Sequence, residues 1–394
     1  MKKLLRNGTV VLPDAVLEGQ TVVIDGSRIA DIYPDRAEEA GMGEDLQGKT
    51  VMPGMIDIHS DMIENYIQPR STAMMGFELG LKEAERVLAS CGITTMFHSI
   101  SMYRDGSWDV KAIRQAPQVK KLASLISTYR HDVRLIRHRY HLRYEIDNLA
   151  CYDDVMKMIE DGQVDLLSFM DHTPGQGQYK NLDIYRKHQP NEGRDMSDAE
   201  FDALLEAERT KETVSFEGLM ALADCARRHG VAIASHDDDT VTKLAVNKDL
   251  GVRISEFPIT LEVAKAAVDA GFMTVVGAPN ILLGGSHSGN LSALDAIKAD
   301  AASVLVSDYY PQALLHAVFT LARKEDIPLW QAVRLVTLHP AQAVGLDGDI
   351  GSLECGKQAD LLVVSEQNGT PTIEQVYVAG DCVVDCHYRL ADVV

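Results

Sequence analysis

Short apolar runs alternate with amphipathic stretches along most of this chain, while its two ends carry a different pattern. The first fifty residues read as short strands, LLRNGTVVL and GQTVVIDGSRIADIYP, punctuated by Asn-Gly and Asp-Gly turns. The last fifty do the same, in QADLLVVSEQNGTPTIEQVYVAGDCVVD. Both ends are therefore expected to pair into one small β-sandwich domain, residues 1–50 plus 345–394. Between them, residues 51–344 contain eight strand-like runs separated by segments of helical period: 51–59, 92–99, 133–145, 164–172, 231–237, 252–258, 272–279 and 302–308. Eight β/α units fit a TIM-like (β/α)8 barrel of α/β class better than an open sheet, although the sixth run is short. The stretch 175–213 is too long and polar for an ordinary βα loop, so it is expected to cross the barrel mouth, with a helix in DMSDAEFDALLEAER.

Composition narrows the class of partner. Of 394 residues, 46% are hydrophobic and 24% charged, a balance that supports a packed core and excludes disorder or a disulfide-dense miniprotein. Against 38 Lys and Arg stand 58 Asp and Glu, a formal charge of −20, which disfavours nucleic acid and anionic membranes as partners. No apolar window approaches a membrane span, and MKKLLRNGTVVLPD meets polar residues before a signal-peptide core forms, so a cytoplasmic protein is expected. The six cysteines are scattered and read as free thiols.

The informative feature is where ligand-type residues fall. Barrel enzymes set their chemistry at the carboxyl ends of strands. Here the first run ends His59-Ser60-Asp61, the third Glu145, the fourth Asp171-His172, the fifth His236-Asp237 and the eighth Asp308. One histidine ending a strand is usually a packed core residue, but five strand ends coincide. His59, Asp61, Glu145, His172, His236 and Asp308 therefore form a candidate set for one or two divalent ions. Asp171 and Asp237 sit beside His172 and His236 in supporting positions, and Asp237 is placed to orient its neighbour. His98 and Glu256 also lie near strand ends, where they either support ligands or pack in the core.

VMPGMIDIHSD resembles the first-strand motif of the amidohydrolase superfamily. SDYYP resembles its terminal metal-binding Asp, and TLHPAQAVGLDGDIGSLECGKQADLLVV its closing signature. The usual His-x-His is here His59-x-Asp61, and no Lys ends the third or fourth run, so Glu145 is the natural substitute for a carbamylated bridging lysine. HSDMIE, HRYHLRYE, FMDHTPGQGQY and ASHDDDT together resemble the phosphonate-utilisation branch, the PhnM-like proteins. That resemblance implies hydrolysis of a small sugar triphosphate, α-D-ribose 1-methylphosphonate 5-triphosphate, to the 5-phosphate and pyrophosphate. It also implies zinc as the ion and a homodimer. Asp308 would ligate metal and take the proton of the attacking water.

A triphosphate needs cations, and the basic window from Arg130 to Glu145 supplies them. On a regular strand Arg139, His141, Arg143 and Glu145 share one face, which assigns Arg139 and Arg143 to substrate, while Arg130 and Arg134 read as a solvated basic face. Two glycine-rich stretches, TPGQGQY and LLGGSHSGN, follow strand ends and offer Gln176, Ser286, His287 and Ser288 as phosphate donors, although such loops are common turns. Two rival readings stay open: a cyclic amidase or deaminase on the same scaffold, and a non-catalytic subunit of a phosphonate-processing assembly.

Overall fold

The computed structural model describes residues 2–104, 111–132, 134–171, 197–285 and 290–388. The chain opens with β1 (Lys2–Val11), β2 (Val16–Asp25), β3 (Arg28–Pro34), β4 (Glu44–Asp45) and β5 (Thr50–Pro53). It continues with β6 (Met55–Ser60), β7 (Ile93–Met102), β8 (Arg137–Glu145), β9 (Leu166–Met170), β10 (Ala232–His236), β11 (Ile254–Glu256), β12 (Met273–Gly277) and β13 (Val304–Val306). It ends with β14 (Leu361–Gln367), β15 (Thr370–Val378) and β16 (Asp381–Asp385).

Strands β6 to β13 lie side by side in chain order and pair in parallel, as eight β/α units require. Both β6 and β7 are buried along their whole length, because side chains on one face fill the barrel and those on the other pack under helices. The first and last strands meet at their carboxyl ends, where the Asp308 amide donates to the His59 carbonyl (3.1 Å) and the Asp61 amide to the Asp308 carbonyl (3.0 Å). At the opposite end the gap is filled by another segment, whose Leu335 and Val336 carbonyls accept from Leu305 and Ile56 (2.8 and 2.9 Å). Ile56, Ile58, Phe97, Leu166, Ile254 and Val304 belong to the apolar plug inside the barrel.

The chain ends form one mixed sheet in the order β16-β15-β14-β5-β1-β2-β3, with β4 beside β1. It curls, so that Leu5, Val22 and Ile29 from one end pack in a single cluster with Leu361, Val363 and Tyr377 from the other. The expected sandwich is thus one continuous curved sheet. The run 51–59 is divided between the two sheets: β5 pairs with β1 and β14, and β6 enters the barrel. Gly54 makes this switch against Thr94, whose side-chain atoms would lie 2.4 Å from a Cβ at that position.

Helices cover the barrel through apolar stripes; Phe77–Ser90 buries Phe77, Leu81, Ala84 and Leu88 on one face. Side-chain caps start several of them, at Ser215, Thr240, Thr260 and Ser292. Within the excursion, helix Asp198–Arg209 starts from a capping box between Ser197 and Glu200, and residues 172–196 lie outside the described residues. None of the six cysteines forms a disulfide. Among the described residues no helix is long and apolar enough to cross a membrane.

Gly54→Ala is expected to destabilise the protein by about 1–3 kcal/mol in urea unfolding, through overpacking against Thr94. Adding Thr94→Ala should recover part of that loss. Wild-type stability in the single variant would mean the switch between sheets has slack.

Candidate active site

Strand ends at the closing side of the barrel bring His59, Arg143, His236, Phe257 and Asp308 around one cleft of about 270 Å³. Three of these ends share an unusual backbone. Asp237, Phe257 and Asp308 have φ of 51°, 53° and 60°, the left-handed region that side chains other than glycine rarely adopt. Each still donates its amide to a neighbouring strand: Asp237 to Glu256 (2.8 Å), Phe257 to Val275 (2.9 Å) and Asp308 to His59 (3.1 Å). The ladder pins the amide while the left-handed turn redirects the side chain, and such strain gathers where surrounding structure over-determines it.

The two imidazoles of the cleft have ring centroids 5.4 Å apart, and the Phe257 ring packs on both, 5.0 Å from His59 and 5.2 Å from His236. Each Nδ1 faces a carboxylate: His59 Nδ1 lies 2.7 Å from Glu256 Oε1, and His236 Nδ1 lies 3.0 Å from Asp237 Oδ2. A carboxylate at Nδ1 fixes the tautomer and leaves Nε2 for a metal. Burial lowers the pKa of His236 although Asp237 pulls it back up, and the shift favours the neutral ring, the form able to ligate. Burial alone would raise Glu256, but the His59 and His141 imidazoles outweigh it and hold the carboxyl well below the usual range. The other oxygen of Glu256 accepts from Ser168 Oγ (2.6 Å), which is also 2.6 Å from His141 Nε2.

Among the described residues, His59, His236 and Glu256 form a group whose ligating atoms lie within 4.8 Å of one another. This donor set suits a divalent ion of intermediate hardness. Because both oxygens of Glu256 are already engaged, its place is behind His59. Asp308 lines the same cleft. Asp61 and Glu145 do not join the 4.8 Å group: Asp61 accepts from Arg114 Nη2 (3.1 Å), and Glu145 is buried at the end of β8. Burial and the nearby Glu64 carboxylate push Asp61 above its ordinary value, with Arg114 opposing them.

Arg143 lines the cleft, and its buried Nε has no hydrogen-bond partner among the described residues. Arg139 departs from the expectation for a substrate residue. It shares the inward face of β8, yet it lies at the other end of the barrel, where Asp165 Oδ1 accepts from it at 2.9 Å. Four residues of strand separate the two arginines by roughly 13 Å. His98 is also placed away from the cleft; it points outward and meets His138 Nδ1 at 2.9 Å, whose Nε2 is 3.2 Å from Glu85. Asp171 follows the end of β9. His172, Gln176, Ser286, His287 and Ser288 lie outside the described residues.

Sequence reasoning gave no role to a second cluster at the mouth. Glu64, with its side chain only 1% exposed, binds Arg114 (2.6 Å) and Lys111 (2.9 Å). Glu64 lies within HSDMIE and so had a signal, whereas Arg114 arrives from the distant 3-10 turn Ala112–Arg114 and had none. Asp238, between two other acids, is buried and accepts from Ser235 (2.6 Å), Ser255 (2.5 Å) and Asn247 (2.8 Å), and Thr240 caps the helix that follows.

Comparison with known proteins adds family to geometry. Residues 50–383 match the model of the amidohydrolase family. The chain belongs to that family. Over 386 residues, covering 96% of this chain and 99% of the relative, it is 32% identical to an alpha-D-ribose 1-methylphosphonate 5-triphosphate diphosphatase of Escherichia coli strain K12. Among solved structures it is similar to a prolidase complexed with N-methylphosphonate-L-proline (TM-score 0.63, 17% identity, 98% of this chain and 100% of that one). It is also similar to the N-acetylglucosamine-6-phosphate deacetylase of Pasteurella multocida (TM-score 0.61, 15% identity, 97% and 99%). These two support the amidohydrolase fold.

Asp57 ties the amidohydrolase barrel shut behind His59. Its Oδ1 accepts from the amides of His59 (3.2 Å) and Ser307 (3.3 Å). Burial lifts its pKa from 3.8 to about 6. The folded state therefore holds the proton longer than the unfolded chain, so this group's contribution is fully present below about pH 4 and is lost as pH rises through about 6. Asp57→Asn should gain stability relative to wild type across that window, approaching about 3 kcal/mol by neutral pH. Urea unfolding of chelator-treated protein at pH 4, 5, 6 and 7 measures this, and a pH-independent difference would count against it.

Proposed function

We propose that this protein is a metal-dependent hydrolase that cleaves α-D-ribose 1-methylphosphonate 5-triphosphate between the α and β phosphates, releasing pyrophosphate. The observation that carries the reading is the match along almost the whole chain to the E. coli diphosphatase. Arg143 supports it from the geometry, since it places a guanidinium in the cleft beside both imidazoles and Asp308. In a chain of net charge −20, a cation there favours a polyanionic substrate over a neutral ring.

His59, His236 and Asp308 would hold the ion, with Glu145, Asp61 and His172 completing a site for one or two; zinc is the first candidate. When bound, the ion acidifies water and offsets phosphate charge. Asp308 takes the proton of the attacking water as its oxygen bonds to the α-phosphorus and the bond to the bridging oxygen breaks. Arg143 balances the charge that builds on the phosphate oxygens, a role that also suits His287, Ser286, Ser288 and Gln176 in the two glycine-rich stretches. Glu256 keeps the proton on His59 Nδ1, and Asp237 does the same for His236.

Phosphorus NMR of the zinc-loaded protein with the ribose triphosphate should show pyrophosphate and the 5-phosphate, and a chelator-treated control should show neither. No change from metal-loaded protein, with turnover of dihydroorotate or hydantoin, would replace this reading with cyclic amide hydrolysis. Arg143→Ala should lower kcat/KM by about 100-fold while leaving bound zinc unchanged, as expected for a residue that stabilises charge in the transition state. Equal loss of zinc and activity would move Arg143 into the support of the metal site.

A further inference from the structure

Behind His59 the polar contacts form a circuit. The Ile58 carbonyl on β6 lies 3.0 Å from His141 Nδ1 on β8, and His141 Nε2 lies 2.6 Å from Ser168 Oγ on β9. Ser168 meets Glu256 Oε2 on β11 (2.6 Å), and Glu256 Oε1 returns to β6 at His59 Nδ1 (2.7 Å). The path leaves β6 at one residue and rejoins it at the next, crossing the barrel interior on the way. His141, Ser168 and Glu256 are all wholly buried, directly above an apolar plug, so no water is at hand to replace a lost link.

We propose that Ser168 and His141 are positioning residues for the metal centre: acting through Glu256, they hold His59 with its Nε2 directed at the ion. The inference rests on His59 being a metal ligand. A glutamate carboxylate turns freely about its last torsion unless both oxygens are held. His59 holds one oxygen and Ser168 the other, so the serine hydroxyl fixes the plane in which Oε1 meets Nδ1. Ser168 is itself a short side chain with several rotamers, and His141 selects one of them. His141 is fixed in turn by a carbonyl one residue from His59, so the ligand and its most remote support belong to the same strand. A disturbance at Ser168 would therefore reach His59 through a carboxylate that has lost one anchor. Outer partners of this kind typically change metal affinity 10- to 100-fold when removed.

The test measures zinc affinity by competition with a chromophoric chelator, without substrate, alongside the thermal midpoint of metal-free protein. Ser168→Ala should weaken zinc about ten-fold or more, Ser168→Thr should retain most of the affinity, and His141→Gln should fall between them. In a Glu256→Gln background, Ser168→Ala should cost nothing further, because its effect runs through that carboxylate. Wild-type affinity in Ser168→Ala, or losses that simply add in the double variant, would overturn the proposal. Should Ser168→Ala fail to fold, Ser168→Cys, a weaker donor, replaces it, and affinity equal to that of Ser168→Thr overturns the proposal in the same way. Wild-type protein that takes up no zinc would instead overturn the assignment of His59 as a ligand.

Discussion

Two amide–carbonyl bonds between the end of β6 and Asp308 close the barrel at the level of the cleft. They are also the frame on which the chemistry hangs. His59 supplies the acceptor of one bond, Asp61 the donor of the other, and Asp308 takes part in both. The parallel strands of an open sheet would leave the first and last far apart. Closure instead puts a residue near position 59 beside one near position 308, with Asp57 below them accepting from the amides of both edges. At the far end the strands diverge around Leu335 and Val336, so tight contact is confined to the end where side chains converge.

Around that closure the interior is layered. An apolar plug fills the lower barrel, and above it His59, His141, Ser168 and Glu256 occupy a buried polar layer in which hydrogen bonds take the place of water. The left-handed residues at the ends of β10, β11 and β13 then turn the chain out over this layer. Phe257 packs against both imidazoles, and the burial of His236 favours its neutral form. Acidic groups here are managed by specific neighbours: Glu64 by Arg114 and Lys111, Asp238 by two hydroxyls and an amide.

The basic window between Arg130 and Glu145 shows how a parallel strand divides one sequence cluster between two places. Arg130 and Arg139 share Asp165 at one end of the barrel, Arg137 pairs with Asp360, just before β14 of the terminal sheet, and Arg143 reaches the cleft. Alternation assigns a face correctly, but it is silent about height along the strand. Height, set by a rise of roughly 3.3 Å per residue, decides which arginine reaches the cleft.

The sequence by itself determined the barrel, the joining of the two chain ends, and the strand ends from which His59, His236 and Asp308 project. Those features follow from hydrophobic periodicity and from the position of polar residues after apolar runs, both of which are local. Only the tertiary structure decided that Glu256 stands behind His59, that His98 turns away toward His138, and that Arg114 reaches Glu64 and Asp61. It also placed Ser168, an ordinary serine in a buried strand, between a histidine and a glutamate from different strands. Each of these pairings joins residues that are distant along the chain and carry no shared pattern. They are set by how far each strand is shifted against its neighbours when the barrel closes, and that shift is a property of the whole sheet.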